Sequence, residues 1–161
     1  MTISLDIGCG KQPRNFFNAA TVYGIDIRND VEAGIYKADL IVEPIPFANE
    51  YFNFVTAHDF LEHVPRIIYS PERRFAFIEI MNEVWRVLKP GGQFLSVTPA
   101  YPHAEAFRDP THVNIITEET FPMYFDNKIC LAKMYGFTGG FQITDQQWNG
   151  PHLISLLTKP W

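Results

Sequence analysis

Cysteine is scarce in this chain of 161 residues, with only Cys9 and Cys130 present. They have no Cys-x-x-Cys spacing, which argues against a thiolate zinc site and for free thiols in a reducing compartment. Positive charge is also short: 13 Lys and Arg stand against 18 Asp and Glu, for a net charge of -5. A surface built to neutralise many phosphates is therefore disfavoured, and non-specific nucleic-acid binding is not expected. No apolar run approaches the roughly 20 residues that cross a bilayer, and no basic leader precedes an apolar stretch, so a soluble, cytoplasmic chain with no membrane contact is expected. Repeats and low-complexity stretches are absent. What is abundant is core material, 47% hydrophobic and 15% aromatic residues, enough for a single domain over 1–161.

The most informative stretch is Ile3-Ser4-Leu5-Asp6-Ile7-Gly8-Cys9-Gly10. A short apolar run with an acid near its end, followed by alternate glycines, reads as a buried parallel strand that delivers its backbone to a small ligand. Glycine accepts φ > 0 and lets main chain approach a ligand closely. The third position of the dinucleotide fingerprint falls on Pro13, where helix packing needs glycine, so a nicotinamide or flavin dinucleotide is disfavoured. Cys9 lies in the turn without a partner that would activate it and reads as a small packing residue.

Arg14 to Ala20 leaves room for about two helical turns before a second strand, Thr21 to Ile25, which ends on Asp26. An acid there is placed to accept hydrogen bonds from ribose hydroxyls. The connection from Ile27 to Ala38 barely reaches the roughly 10 to 12 residues of a complete crossover, so the early crossovers are shortened. Ile35 to Leu40 reads as a third strand carrying Asp39 near its end, and Asn53 to His58 as a fourth. In an open parallel sheet Asp6, Asp26 and Asp39 can then face one crevice. Ser70, Pro71 and Glu72 predict a helix start, and Phe77, Ile80, Met81, Val84 and Leu88 its core stripe. Lys89-Pro90-Gly91-Gly92 stops it before a fifth strand, Gln93 to Thr98. Beyond Pro99 the pattern loosens, with a helix expected near Thr117. Gly140 to Thr144 and Leu153 to Thr158 read as an antiparallel pair around Asn149-Gly150.

Leu5-Asp6-Ile7-Gly8-Cys9-Gly10, Gly24-Ile25-Asp26, Asp39-Leu40, Leu61-Glu62-His63-Val64 and Arg86-Val87-Leu88-Lys89-Pro90-Gly91-Gly92 together resemble the class I S-adenosylmethionine-dependent methyltransferases. The resemblance runs to about Thr98. It implies an α/β, Rossmann-like, seven-stranded and mostly parallel sheet with the last strand antiparallel and helices on both faces. It also implies S-adenosylmethionine as cofactor, with Gly8 and Gly10 beside the methionine moiety, Asp26 on the ribose, Asp39 and Leu40 at the adenine, His58 bordering the cofactor, and Asp6 and Ile27 also among the cofactor-binding residues. The chain lacks the family's helical extension before the first strand, which leaves open a homo-oligomer whose second subunit supplies a wall.

Methyl transfer needs alignment and exclusion of water, and a base only when the acceptor must lose a proton. His63 and His112 are the candidate catalytic residues, beside His58. Asp59, Glu62, His63 and His112 are also similar to the set that holds a divalent cation in the small-RNA 2′-O-methyltransferases, with Asp59 in place of a glutamate. Tyr101, His103 and Arg108 are candidate substrate contacts. The expected activity is methyl transfer to an unidentified small-molecule or macromolecular acceptor. The alternative is a non-catalytic S-adenosylmethionine-binding subunit that acts with a protein partner.

Overall fold

The Ile3–Ile7 run is the centre of the architecture. In a computed structural model that describes residues 1–28 and 30–161, it forms β1, buried from Ser4 onward. Around it stand β2 (Thr21–Asp26), β3 (Ile35–Lys37), β4 (Phe52–His58), β5 (Leu88–Pro99), β6 (Gln142–Asn149) and β7 (His152–Thr158). They form one seven-stranded sheet in the order β3-β2-β1-β4-β5-β7-β6. β1 to β5 are mutually parallel, and β7 runs antiparallel to both β5 and β6. The strand order reverses between β1 and β4, so the carboxyl ends of those two strands flank the crevice in which such sheets bind ligands. None of the described helices is long and apolar enough to cross a membrane.

The first crossover contains no helix. Residues 8–20 form turns, because local polar groups capture the backbone that a helix would need. The Arg14 N–H donates to Asp6 at 2.8 Å, and Asn15 exchanges two hydrogen bonds with the backbone of Ala19. The sheet is covered there by rings: Phe17 stacks on Phe54 of β4 with centroids 4.2 Å apart. β3 is shorter than expected and ends at Lys37, so Asp39 and Leu40 lie in the turn that follows it.

The main helix, α1 (Ala76–Val87), starts later than Ser70-Pro71 implied. Ile68 and Arg74 exchange backbone hydrogen bonds and close the intervening residues into a loop, which takes up the donors a helix start would offer. Its stripe is as expected: Phe77, Ile80, Met81 and Val84 are each at most 6% exposed. Leu88 leads directly into β5. The Lys89-Pro90-Gly91-Gly92 stretch is absorbed as an irregularity in the β4–β5 register, with Gly91 at φ 75°. The second helix, α2, covers only Thr120–Tyr124, because the hydroxyls of Thr117 and Thr120 bond the residues before it. The closing hairpin forms around Gly150, but its first strand runs from Gln142 to Asn149 instead of ending at Thr144. Truncating Met81 to alanine should lower the unfolding free energy by about 2 to 5 kcal/mol, measured by urea denaturation; a loss well under 1 kcal/mol would show that the stripe is not core.

Candidate functional site

β1 delivers Asp6 into the interior, where its carboxylate has no solvent exposure. It accepts the Thr56 hydroxyl of β4 at 2.6 Å and the Arg14 N–H at 2.8 Å, so it positions the glycine turn from below. Burial raises its pKa above the ordinary 3.8 against the lowering influence of those hydrogen bonds. Gly8 and Gly10 both take φ 67°, the left-handed region open to glycine. The approach over Gly8 is filled by Phe60, whose ring would lie 2.4 Å from a Cβ there, whereas over Gly10 only the Arg28 guanidinium comes near, at 3.9 Å. A concavity of about 470 Å³ runs along Cys9 to Arg14.

Asp26 ends β2 beside this concavity. The Gly10 N–H donates to its Oδ2 at 2.9 Å, and Arg28 contributes its backbone N–H, its Nε at 2.8 Å and its Nη2 at 3.4 Å. Burial favours the neutral acid, but the hydrogen bonds from Arg28 and Gly10 outweigh it and hold the pKa below its usual value. A carboxylate offers about four lone-pair sites, and all are used. Seating a ribose diol on Asp26 therefore requires Arg28 to swing aside, which its exposed side chain can do; the backbone donors stay. With that movement the residues fit a nucleoside: an acid for the hydroxyls, the exposed apolar Ile27 next to it, and an open glycine face. Asp39 stands in an exposed turn, where its carboxylate accepts the Ile41 N–H, and Leu40 beneath it is 9% exposed.

The sequence-predicted histidines fall into separate groups. His58, at the end of β4, stacks on Phe16, and burial lowers its pKa. Its buried Nδ1 lies 3.1 Å from Asp59 but makes no hydrogen bond. His63 and His112 come together with Glu62, with one ligating atom from each within 4.8 Å of the others. The Thr111 hydroxyl gives its proton to Asp109, so it accepts from His63 Nδ1; the Glu105 carbonyl accepts from His112 Nδ1. Each ring therefore keeps Nε2 free as an acceptor. Glu62 is buried, which raises its pKa, and it accepts the Thr98 hydroxyl at 2.9 Å. Two imidazoles and a carboxylate can take a divalent cation or a proton. Asp59 does not join them, because β4 turns it the other way, at φ 50°, onto His152.

His152 is the residue that sequence reasoning missed. Its Nε2 donates to Asp59 Oδ1 at 2.8 Å, which leaves Nδ1 able to accept a proton. The only signal was the hairpin, whose register sets His152 opposite Pro99 at the end of β5. Tyr101 lies just past that strand on the wall of a larger cavity, His103 packs on Trp148, and Arg108 is paired with Glu105. Cys9 is buried, and desolvation pushes its thiol up to about 11, so it is not a nucleophile.

A family model described as a methyltransferase domain matches residues 5–96, from Leu5 in β1 to Ser96 in β5. The chain belongs to that family. No curated protein matches this member by sequence. Among solved structures it is similar to an S-adenosylmethionine-dependent methyltransferase from Archaeoglobus fulgidus, with 17% identity, a TM-score of 0.63, and 98% of this chain and 86% of that one covered. It is also similar to the 1,6-didemethyltoxoflavin-N1-methyltransferase of Burkholderia thailandensis, solved with S-adenosylhomocysteine, at 14% identity, a TM-score of 0.64, and coverage of 99% and 71%. A Haloferax volcanii chain solved in complex with the methyltransferase activator Trm112 matches at 11% identity and a TM-score of 0.63, with 99% and 83% covered.

The state of Asp6 gives this methyltransferase a signed pH dependence. Folding favours the protonated acid, so that contribution is complete below about pH 3.8 and is lost as pH rises through the raised native value. Relative to an Asp6→Asn variant, the wild type should lose stability over that rise in urea unfolding; a difference that stays constant with pH would refute the assignment.

Proposed function

We infer that this protein transfers a methyl group from S-adenosylmethionine to a nucleophile held over the carboxyl ends of β4 and β5. The observation that carries the reading is Asp26, kept ionised at the end of β2 and hydrogen-bonded to the Gly10 N–H of the turn that leaves β1, the strand next to the point where the strand order reverses. The membership in a methyltransferase family supports the same reading.

When bound, the cofactor supplies a sulfonium-activated methyl group open to in-line displacement. The chain's own residues supply the alignment. Asp26 accepts the ribose hydroxyls once Arg28 has moved, and Ile27 and Leu40 offer apolar surface to the base, with Asp39 at its edge. Asp6 holds the glycine turn from below through the Arg14 N–H and the Thr56 hydroxyl. Phe60, packed on Gly8, and His58, stacked on Phe16, close the site against water on the β4 side. Where the acceptor carries a proton, a free imidazole nitrogen on His63, His112 or His152 can receive it, with Asp59 fixing the orientation of His152.

Calorimetric titration with S-adenosylhomocysteine tests the cofactor assignment. Hydrogen bonds to a charged group are worth about 1.5 to 3 kcal/mol each, but the ribose contacts replace those of Arg28, so an Asp26→Ala variant should bind about 10-fold more weakly. Equal affinity in the two proteins, or tighter binding of NAD than of S-adenosylhomocysteine by the wild type, would overturn it.

A further inference from the structure

Between β5 and β6 the chain forms turns, two short 3-10 helices (Ala104–Ala106 and Leu131–Tyr135) and α2, and this stretch packs over the start of α1 through Phe75–Tyr135 and Phe77–Phe125. It encloses a cavity of about 920 Å³, which lies within the roughly 300 to 1,000 Å³ of small-molecule sites. Rings dominate its walls: Phe75 and Phe77 at the start of α1, Tyr101 and Phe107 beyond β5, and Tyr124 and Tyr135 from the wrapping stretch. Tyr101, Phe107 and Tyr135 are 56%, 52% and 42% exposed, so their faces are open to whatever enters. Phe75 and Tyr135 lie 5.3 Å apart, and Tyr101 meets Phe107 edge-on at 6.4 Å.

One cation stands in this wall. Arg66 donates its Nε to Asn114 Oδ1 at 2.6 Å and its Nη2 to the Ile115 carbonyl, both neutral acceptors. Its Nη1 makes no hydrogen bond, and no carboxylate pairs with it, among the described residues. Partial desolvation lowers its pKa, and the exposed Glu119 that lines the same cavity makes neither a hydrogen bond nor an ion pair with it. A guanidinium stays protonated under all ordinary conditions, so the exposed Arg66 head presents to the cavity a positive charge that no carboxylate pairs with among the described residues. A carboxylate is the planar anion that matches the free edge of a guanidinium.

We propose that this cavity binds a small aromatic carboxylate, with its ring against Phe75, Tyr124 and Tyr135 and its carboxylate on Arg66. The binding claim stands by itself; that the bound acid is the methyl acceptor rests on the function proposed above.

The test uses 1-naphthoate and its neutral analogue 1-naphthamide, titrated by fluorescence into the unaltered protein. The acid should bind saturably and at least about 10-fold more tightly than the amide, as expected for a charge-assisted hydrogen bond. In an Arg66→Met variant that preference should vanish while the amide affinity holds. Because Arg66 also braces Asn114 and Ile115, a Tyr124→Ala variant serves as a second arm and should weaken both ligands together. No saturable binding of the acid, equal binding of acid and amide, or a preference that survives in Arg66→Met would overturn the proposal. S-adenosylhomocysteine titrated into the same preparations reports on the cofactor site separately, so failure here and failure of the methyltransferase reading give different results.

Discussion

The structure turns on a carboxylate with no access to water. Asp6 ties three parts of the chain together at one point: its own strand β1, the Thr56 hydroxyl of β4, and the Arg14 N–H of the loop beyond the glycines. A buried acid is costly unless it is hydrogen-bonded, so any rearrangement of the turn that broke these contacts would leave it uncompensated. The conformation of Gly8 and Gly10, and through Gly10 the place of Asp26, follows from that constraint. The chain does without a helix in its first crossover because this polar anchor and the Asn15 side chain already account for the local backbone.

Much of this was legible in the residues themselves. Strands β1, β2 and β4 announce themselves by short apolar runs with an acid or histidine at or next to the end, and near-continuous apolar runs are how buried parallel strands read. The α1 stripe was equally clear, since its period survives whatever happens at the helix start. Where the reading departed from the structure, long-range or local polar bonds were responsible. Ser70 and Pro71 have the chemistry of a helix start, but Ile68 and Arg74 bond each other first. Arg14 to Ala20 has room for about two helical turns, yet this backbone is looped and sets the rings of Phe16 and Phe17 against the end and the middle of β4.

The candidate site was half legible for the same reason. Asp6 and Asp26 are recognisable because the glycine turn lies close to them in sequence. His63 and His112 were each visible as chemistry-bearing residues, and the fold brings them together through the backbone of Glu62, whose carbonyl accepts the N–H groups of Val113 and Asn114. The Asp59–His152 pair was not legible, since its members are 93 positions apart and meet only after the hairpin has docked on β5. No local pattern encodes such a meeting.

The saturation of Asp26 has a consequence for how a nucleoside reaches it. On the function proposed above, the guanidinium of Arg28 occupies the sites that a sugar would need, so entry would be an exchange of partners within the molecule rather than the filling of a vacant acceptor. Added electrolyte reaches this pair on its Arg28 side, which is 62% exposed, although Asp26 itself is buried. Moderate ionic strength would therefore loosen the latch and quicken association, the reverse of the salt sensitivity seen where opposite charges attract a ligand from solution.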